Sequence, residues 1–220
     1  MARKIVAVAF DLDGLMVNTE ELFIEVAKRM VQKRGLQLDM NLIRQMMGRP
    51  SRVAIPLMIE HYDLSESVGE LEVETFSVLD SLLDERLAPM PGLVDLIGHL
   101  DSLSIPKAIT TSSRRAFVDR VLKLLQLPTE FAFFLTAEDV TEGKPNPEIY
   151  QRAAAGFGIP PEKMMVLEDS ELGCRAAVRA NAFAVAVPGE HSCGHQYDGA
   201  SLVVDSLADE RIKEAFTQSS

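Results

Sequence analysis

Two aspartates that follow a short apolar run, Asp11 and Asp13, are the first residues whose types and spacing could do chemistry. The run at 4–10 leads into the letters DLDG, so one residue separates the two carboxylates. Residues at i and i+2 of an extended segment point to the same side, so both are expected to face one crevice. Burying either charge is costly unless a cation or hydrogen-bond donors compensate. The pair therefore predicts a positively charged partner.

Other polar groups follow later apolar runs of the chain. They are a hydroxyl pair in TTSS, an ammonium in TEGKPNPE and a second acidic pair in LEDS: Thr111 and Ser112, Lys144, and Glu168 with Asp169. If the runs are parallel strands, these groups reach the same edge of one sheet. Acidic oxygens from two strands suit a hard cation such as Mg²⁺. A lysine and a hydroxyl beside them suit a phosphate.

The apolar runs are predicted to be buried parallel strands, because their hydrophobicity is continuous rather than alternating. The predicted strands are 4–10, 106–113, 131–139, 163–170, 182–189 and 202–207. Helical spacing of apolar residues predicts helices at 92–103, 114–127, 147–158 and 172–182. The alternation of strand and helix predicts an α/β fold, a doubly wound parallel sheet with a Rossmann-like core.

Residues 19–90 interrupt this alternation with helical patterns only, at 20–34, 39–47, 51–61 and 66–87. The letters APMPG at 88–92 are a hinge signal that closes the segment. We therefore expect a catalytic core formed by 1–18 and 91–220, and an inserted helical cap domain at 19–90. In open α/β sheets ligands bind at the carboxyl ends of the strands, and an insert after the first strand would lie over that edge.

Composition narrows the class of partner. The net charge of −11 argues against nucleic acid or an anionic membrane as the main partner. The apolar run near the N-terminus is too short for a membrane span and lacks a signal-peptide cleavage site. With two cysteines there is no disulfide framework, which favours a reducing cytoplasm. We expect a soluble cytoplasmic protein, with the oligomeric state open between a monomer and a weak dimer.

The four motifs DLDG, TTSS, GKPNPE and LEDS, in that order at predicted strand ends, resemble those of the haloacid dehalogenase superfamily. The helical insert looks like the cap of its β-phosphoglucomutase-like branch. The resemblance covers nearly the whole chain. It implies a Mg²⁺-dependent enzyme acting on a small phosphorylated metabolite, such as a sugar phosphate. It also implies that the cap closes over the substrate.

The resemblance implies a role for each matching residue. Asp11 matches the nucleophile that becomes an aspartyl-phosphate, and Asp13 the general acid and base, whose backbone carbonyl reaches the metal. Thr111 matches the hydroxyl that holds the phosphoryl group, with Ser112 as its backbone support or as the true match. Lys144 would offset negative charge. The metal ligands that the resemblance implies are Asp11, Asp13 and Asp169, with Glu168 as a ligand either directly or through water.

Several alternatives are open. An acid at Asp13 argues against a dehalogenase, which lacks one there. The loop GRPSR at 48–52 resembles the mutase loop, so Arg52 would bind a distal phosphate, but Phe23 stands where the mutases carry a histidine. Hydrolysis is therefore favoured over a phosphosugar mutase. A non-catalytic binding protein would not need both aspartates.

The letters GEHSCGHQYD at 189–198 raise a separate possibility. His191, Cys193 and His195 could supply metal ligands, but no fourth ligand is evident nearby. A surface loop is favoured there.

Overall fold

The computed structural model describes residues 4–46, 49, 51–127, 129–189, 192 and 194–217. The chain divides into two compact units, one formed by Met1–Asn18 with Ala88–Ser220 and the other by Thr19–Leu87. The second unit ends at Leu87, whereas the sequence predicted a cap that extends to 90. The reason is that residues 88–90 pair with the first unit. Pro89 forms an isolated antiparallel β-bridge with Val17, and the Met90 N–H donates to the Met16 carbonyl.

The first unit is built on a six-stranded parallel sheet in the order β3-β2-β1-β4-β5-β6. Its strands are β1 Ala7–Phe10, β2 Lys107–Thr110, β3 Phe134–Leu135, β4 Met164–Glu168, β5 Phe183–Ala186 and β6 Leu202–Val203. From central β1 the chain fills one side of the sheet and then returns to fill the other. This is the doubly wound order, and the predicted fold class is confirmed.

In the described part of the inserted unit there are four helices: α1 Thr19–Lys33, α2 Met40–Met46, α3 Ser51–Tyr62 and α4 Val68–Arg86. The longest, α4, begins at a capping box in which the Ser67 hydroxyl accepts from the Glu70 N–H and the Glu70 carboxylate accepts from the Ser67 N–H. Arg34, just after α1, is paired with carboxylates of Glu66 and Glu74 at 2.7 Å each. These ion pairs tie the end of α1 to the start of α4.

The helices of the first unit are α5 Leu93–Ser102, α6 Arg115–Leu125, α7 Glu148–Phe157, α8 Glu171–Arg179 and α9 Glu210–Thr217, with short 3-10 turns at Ala137–Asp139 and Pro161–Lys163. Helix α8 begins after Ser170, whose hydroxyl caps the Gly173 N–H. After α8, Asn181 takes a left-handed conformation with φ of 69°. Both ends of this helix are therefore formed by residues suited to them, a serine that caps the first turn and an asparagine that tolerates the left-handed conformation.

The ends of the insert are held by reciprocal hydrogen bonds of the first unit. The Asn18 N–H donates to the Ala88 carbonyl at 3.2 Å, and the Ala88 N–H donates to the Asn18 side-chain oxygen at 2.9 Å. The chain thus leaves and re-enters the first unit at one point. None of the helices in the described part of the chain combines the length and the apolar character that a membrane span requires.

Candidate active site

The register of the sheet sets the level of the candidate site. Phe10, the last residue of β1, pairs with Ile109 of β2 and with Leu167 of β4. Asp11 and Glu168 each stand one residue further along, at the carboxyl edge of these neighbouring strands. The Asp11 N–H donates to the Leu167 carbonyl at 3.0 Å, which fixes the backbone of Asp11 at this edge.

Lys144 brings its ammonium to the same edge from the turn before α7. Its Nζ donates to Asp11 Oδ1 at 2.5 Å, to Glu168 Oε1 at 2.6 Å and to the Thr110 carbonyl at 3.2 Å. The side chain is 6% exposed, and those of Asp11 and Glu168 are 8% and 1% exposed. An ammonium has three N–H donors, so these acceptors account for all of them.

Burial and neighbouring charges act in opposite directions on this pair. Burial raises the pKa of Asp11 well above its usual value, and the Lys144 charge only partly offsets that effect. For Lys144, burial lowers the pKa, but the charges of Asp11 and Glu168 outweigh it, so the pKa is raised well above its usual value. The ammonium therefore stays charged at neutral pH, and it compensates the burial of the Asp11 carboxylate only in part.

Three carboxylates meet at this edge in a geometry that could hold a metal ion. Asp11, Glu168 and Asp169 each offer an oxygen, and these oxygens lie within 4.8 Å of one another. All three residues are buried. An all-oxygen donor set with excess negative charge fits a hard divalent cation. The backbone of Asp169 is fixed as well, because the Tyr197 hydroxyl donates to its carbonyl at 2.6 Å.

The carboxylate of Asp13 does not belong to that group among the described residues and is held by hydroxyls instead. Its Oδ2 accepts from Thr111 Oγ1 at 3.2 Å and from Ser113 Oγ at 2.6 Å. The Thr111 hydroxyl also accepts from the Ser113 N–H. Thr111 is buried, whereas Ser112, which lies between Thr111 and Ser113, is exposed. Directly after Asp13 the chain turns at Gly14, whose φ of 76° is a left-handed conformation that glycine adopts easily.

Glu168 is enclosed by donors and by a glycine. Its oxygens accept from Lys144, from the Tyr150 hydroxyl and from Ser170. A Cβ placed on Gly173 would lie 1.9 Å from Glu168 Oε1 and 2.0 Å from its Cδ. Only glycine leaves room for the carboxylate at this point of α8.

Three residues that contact the site were not predicted from the sequence: Ser113, Tyr150 and Tyr197. Ser113 lies two places after Thr111, so the alternation of an extended segment could have placed both hydroxyls on one side. Tyr150 occupies an apolar position in the pattern of α7, and nothing in the sequence indicates which group its hydroxyl contacts. Tyr197 lies in a loop far along the chain from Asp169.

The remaining predicted residues lie elsewhere. Arg52 belongs to the inserted unit and is exposed in the first turn of α3. Phe23, on α1, is 41% exposed. In the loop at 189–198, which was considered as a source of metal ligands, His191 and Cys193 lie outside the described residues.

Comparison with known proteins agrees with this architecture. A "Phosphorylated carbohydrates phosphatase" of Thermotoga maritima is 30% identical over 174 residues, which are 79% of this chain and 81% of the relative. A "Bifunctional riboflavin kinase/FMN phosphatase" of Arabidopsis thaliana is 29% identical over 94% of this chain, and the chain spans 55% of its length. The crystal structure of β-phosphoglucomutase from Clostridium difficile superposes with a TM-score of 0.75 at 26% identity, covering 97% of each chain.

These findings confirm the resemblance that the motifs carry, including its β-phosphoglucomutase-like branch. Further relatives are also named as phosphatases. The predicted enzyme class, a phosphoric monoester hydrolase, is thereby confirmed at the level of the family. The haloacid dehalogenase-like hydrolase family matches residues 8–187, more than half of the 220 residues, and the chain belongs to this family.

Proposed function

We propose that the chain is a Mg²⁺-dependent phosphatase that hydrolyses a small phosphate ester, with a sugar phosphate as the substrate class. The observation that carries the proposal is the buried contact between Asp11 and Lys144, next to an Asp13 carboxylate held by two hydroxyls. The relatives named above support the phosphate chemistry.

Asp11 is the proposed nucleophile. Lys144 occupies its Oδ1, and the other oxygen, Oδ2, attacks phosphorus while the bond from phosphorus to the ester oxygen breaks. The product is an aspartyl-phosphate on Asp11 and a released alcohol. The fixed ammonium stabilises the negative charge of the transferring group, since phosphoryl transfer depends on positioning and electrostatics.

Asp13 is the proposed general acid and base. In the first step it donates a proton to the leaving ester oxygen, and in the second it takes a proton from the water that attacks phosphorus. The bond between phosphorus and Asp11 then breaks, releasing inorganic phosphate and restoring both aspartates. Thr111 and Ser113 hold the Asp13 carboxylate in one orientation.

Asp11 and Asp169 are the proposed side-chain ligands of Mg²⁺, with the Asp13 carbonyl as a further candidate. Glu168 lies beside them and contributes negative charge, because its own oxygens already accept from Lys144, Tyr150 and Ser170. A bound Mg²⁺ would supply positive charge that stabilises Asp11 and the phosphoryl oxygens. The fit is supported by the raised pKa of Asp11, whose burial is only partly compensated by Lys144.

A phosphosugar mutase is the second candidate, favoured by the likeness to β-phosphoglucomutase. The mutase would use the same aspartyl-phosphate but transfer it to a second hydroxyl of the sugar. Phe23 argues against this, because its hydrocarbon ring cannot move a proton at the position where the mutases carry a histidine.

The test is phosphate release from a panel that contains phosphorylated sugars, glycerol phosphate and p-nitrophenyl phosphate, each with Mg²⁺ or with EDTA. We expect Mg²⁺-dependent release by the wild type, none by Asp11→Asn, and wild-type release by Asp95→Asn. Asp95 is exposed on α5 and is not among the proposed site residues, so this control makes the same chemical change at a surface carboxylate.

Two outcomes would contradict the proposal. Conversion of β-glucose 1-phosphate to the 6-phosphate without phosphate release would establish the mutase. Equal release by wild type and Asp11→Asn would remove Asp11 as the nucleophile.

A further inference from the structure

The Glu168 carboxylate is buried, and every direction in which it can accept a hydrogen bond is used within the protein. Oε1 accepts from Lys144 Nζ at 2.6 Å and from the Tyr150 hydroxyl at 2.5 Å. Oε2 accepts from the Ser170 hydroxyl at 2.9 Å and from the Ser170 N–H at 3.3 Å. A carboxylate has about four lone-pair sites, so these donors saturate it. Its orientation is therefore set by Tyr150 and Ser170, and it in turn faces Lys144.

Tyr150 is placed rigidly enough to impose that orientation. It is fully buried on α7, and its ring belongs to the apolar cluster that includes Ala153 and Val166. Its hydroxyl is the donor in the hydrogen bond to Glu168 Oε1, because an ionised carboxylate can only accept. The Lys144 ammonium also lies 5.4 Å from the centre of the Tyr150 ring, within the range of a cation–π contact.

We propose that Tyr150 is a positioning residue, which fixes Glu168 so that Glu168 fixes the Lys144 ammonium on the nucleophile Asp11. The inference rests on the proposed function and extends it to a hydroxyl with no role in the steps above. Lys144 sits on a flexible four-carbon stem in a turn, and Glu168 is one of only two carboxylates that its ammonium contacts among the described residues. Without the Tyr150 hydroxyl, Oε1 loses a donor and the carboxylate is free to rotate away from Lys144. Small displacements of a charge that stabilises a transition state lower the rate steeply.

The test compares wild type with Tyr150→Phe, which keeps the ring and removes only the hydroxyl. Tyr62→Phe is the matched control, because the Tyr62 hydroxyl also makes hydrogen bonds, with the Gln37 carbonyl and the Asp39 N–H, but in the inserted unit. With p-nitrophenyl phosphate at saturating Mg²⁺, we expect kcat of Tyr150→Phe to fall about 10-fold. We expect KM and the half-saturating Mg²⁺ concentration to stay within about twofold, since the ring and the carboxylates remain.

A second readout does not depend on activity. Spectra that select ¹⁵N-labelled lysine ammonium groups detect those held by hydrogen bonds, and Lys144→Arg identifies the signal of Lys144. We expect this signal in the wild type and in Tyr62→Phe, and its loss through faster exchange in Tyr150→Phe. If the wild type hydrolyses no substrate, the proposed function fails, and the ammonium signal still decides whether Tyr150 positions Lys144.

A double-mutant cycle, measured at a temperature well below the melting of Tyr150→Phe, tests the route through Glu168. Because Tyr150 acts through Glu168, adding Tyr150→Phe to Glu168→Gln should lower kcat by less than about twofold more. Full additivity of the two losses would overturn the proposal. So would a wild-type kcat together with an unchanged Lys144 signal in Tyr150→Phe, because Tyr150 would then only pack.

Discussion

Gly173→Ala is the substitution whose outcome depends most directly on the packing around Glu168. Gly173 lies inside α8, where helix propensity alone would favour alanine by about 1 kcal/mol. The added Cβ, however, would lie 1.9 Å from Glu168 Oε1 and 2.0 Å from Glu168 Cδ. No real Cβ contact is that short, so either the helix or the carboxylate must move.

The carboxylate is the end of a flexible side chain, but here it cannot move cheaply. It is 1% exposed and hydrogen-bonded to Lys144, Tyr150 and Ser170. Overpacking costs about 1–3 kcal/mol, and each lost hydrogen bond to a charged group about 1.5–3 kcal/mol. After the gain in helix propensity, we expect a net loss of about 2–4 kcal/mol in the free energy of unfolding. For a chain of this size that lowers Tm by about 5–15 °C.

The assay is thermal unfolding followed by circular dichroism, with phosphate release measured on the same samples. Gly98→Ala is the matched control, since Gly98 lies inside α5 with nothing within 4 Å of an added Cβ. We expect the control to raise Tm by about 2–4 °C through helix propensity alone. We expect Gly173→Ala to lower kcat about 10-fold or more, because the carboxylate that faces Lys144 is displaced. Wild-type Tm and kcat in Gly173→Ala would refute the reasoning.

Three further predictions concern other parts of the chain. Arg34→Ala should lower Tm of the inserted unit by about 5 °C at pH 7 through loss of charged hydrogen bonds. Arg34 lowers the pKa of Glu74, so its contribution is present above the unfolded carboxyl pKa and is lost as pH falls, and the Tm difference should shrink from pH 7 to pH 4. Burial raises the pKa of the Cys174 thiol to about 12, so in Cys193→Ser this remaining thiol should not react with a disulfide reagent at pH 8 until urea unfolds the chain. Arg52→Ala should raise KM about 10-fold for a substrate with a second phosphate and leave that for p-nitrophenyl phosphate unchanged; equal KM changes for both would remove the proposed contact.

The sequence predicted those parts of the fold and site that follow from strand ends. Asp11, Lys144 and Glu168 could be assigned to one site from residue order alone, because parallel strands present their carboxyl ends at one edge. Strand bounds were predicted too long, since apolar runs continue into turns after the ladder ends, as at 106–113 against Lys107–Thr110. Helix α9 was not predicted at all, because its apolar residues are few.

The partner that each carboxylate takes could not be read in the same way. The i, i+2 rule places Asp11 and Asp13 on one side, but it does not say that Asp11 contacts Lys144 while the Asp13 carboxylate contacts Thr111 and Ser113. The strand β1 ends at Phe10, and donors that come from later strands and turns are not set by alternation along one segment.

The paired hydrogen bonds between Asn18 and Ala88 have a consequence for how this chain can change. Because the first unit itself fixes both ends of the segment 19–87, the entropy of closing that segment depends only weakly on its length. Each doubling of a flexible loop costs about 0.6 kcal/mol. Insertions, deletions or complete exchange of the inserted helices can therefore accumulate without altering the register of the sheet. Asn18 itself is constrained, because both hydrogen bonds that hold the ends of the segment involve it.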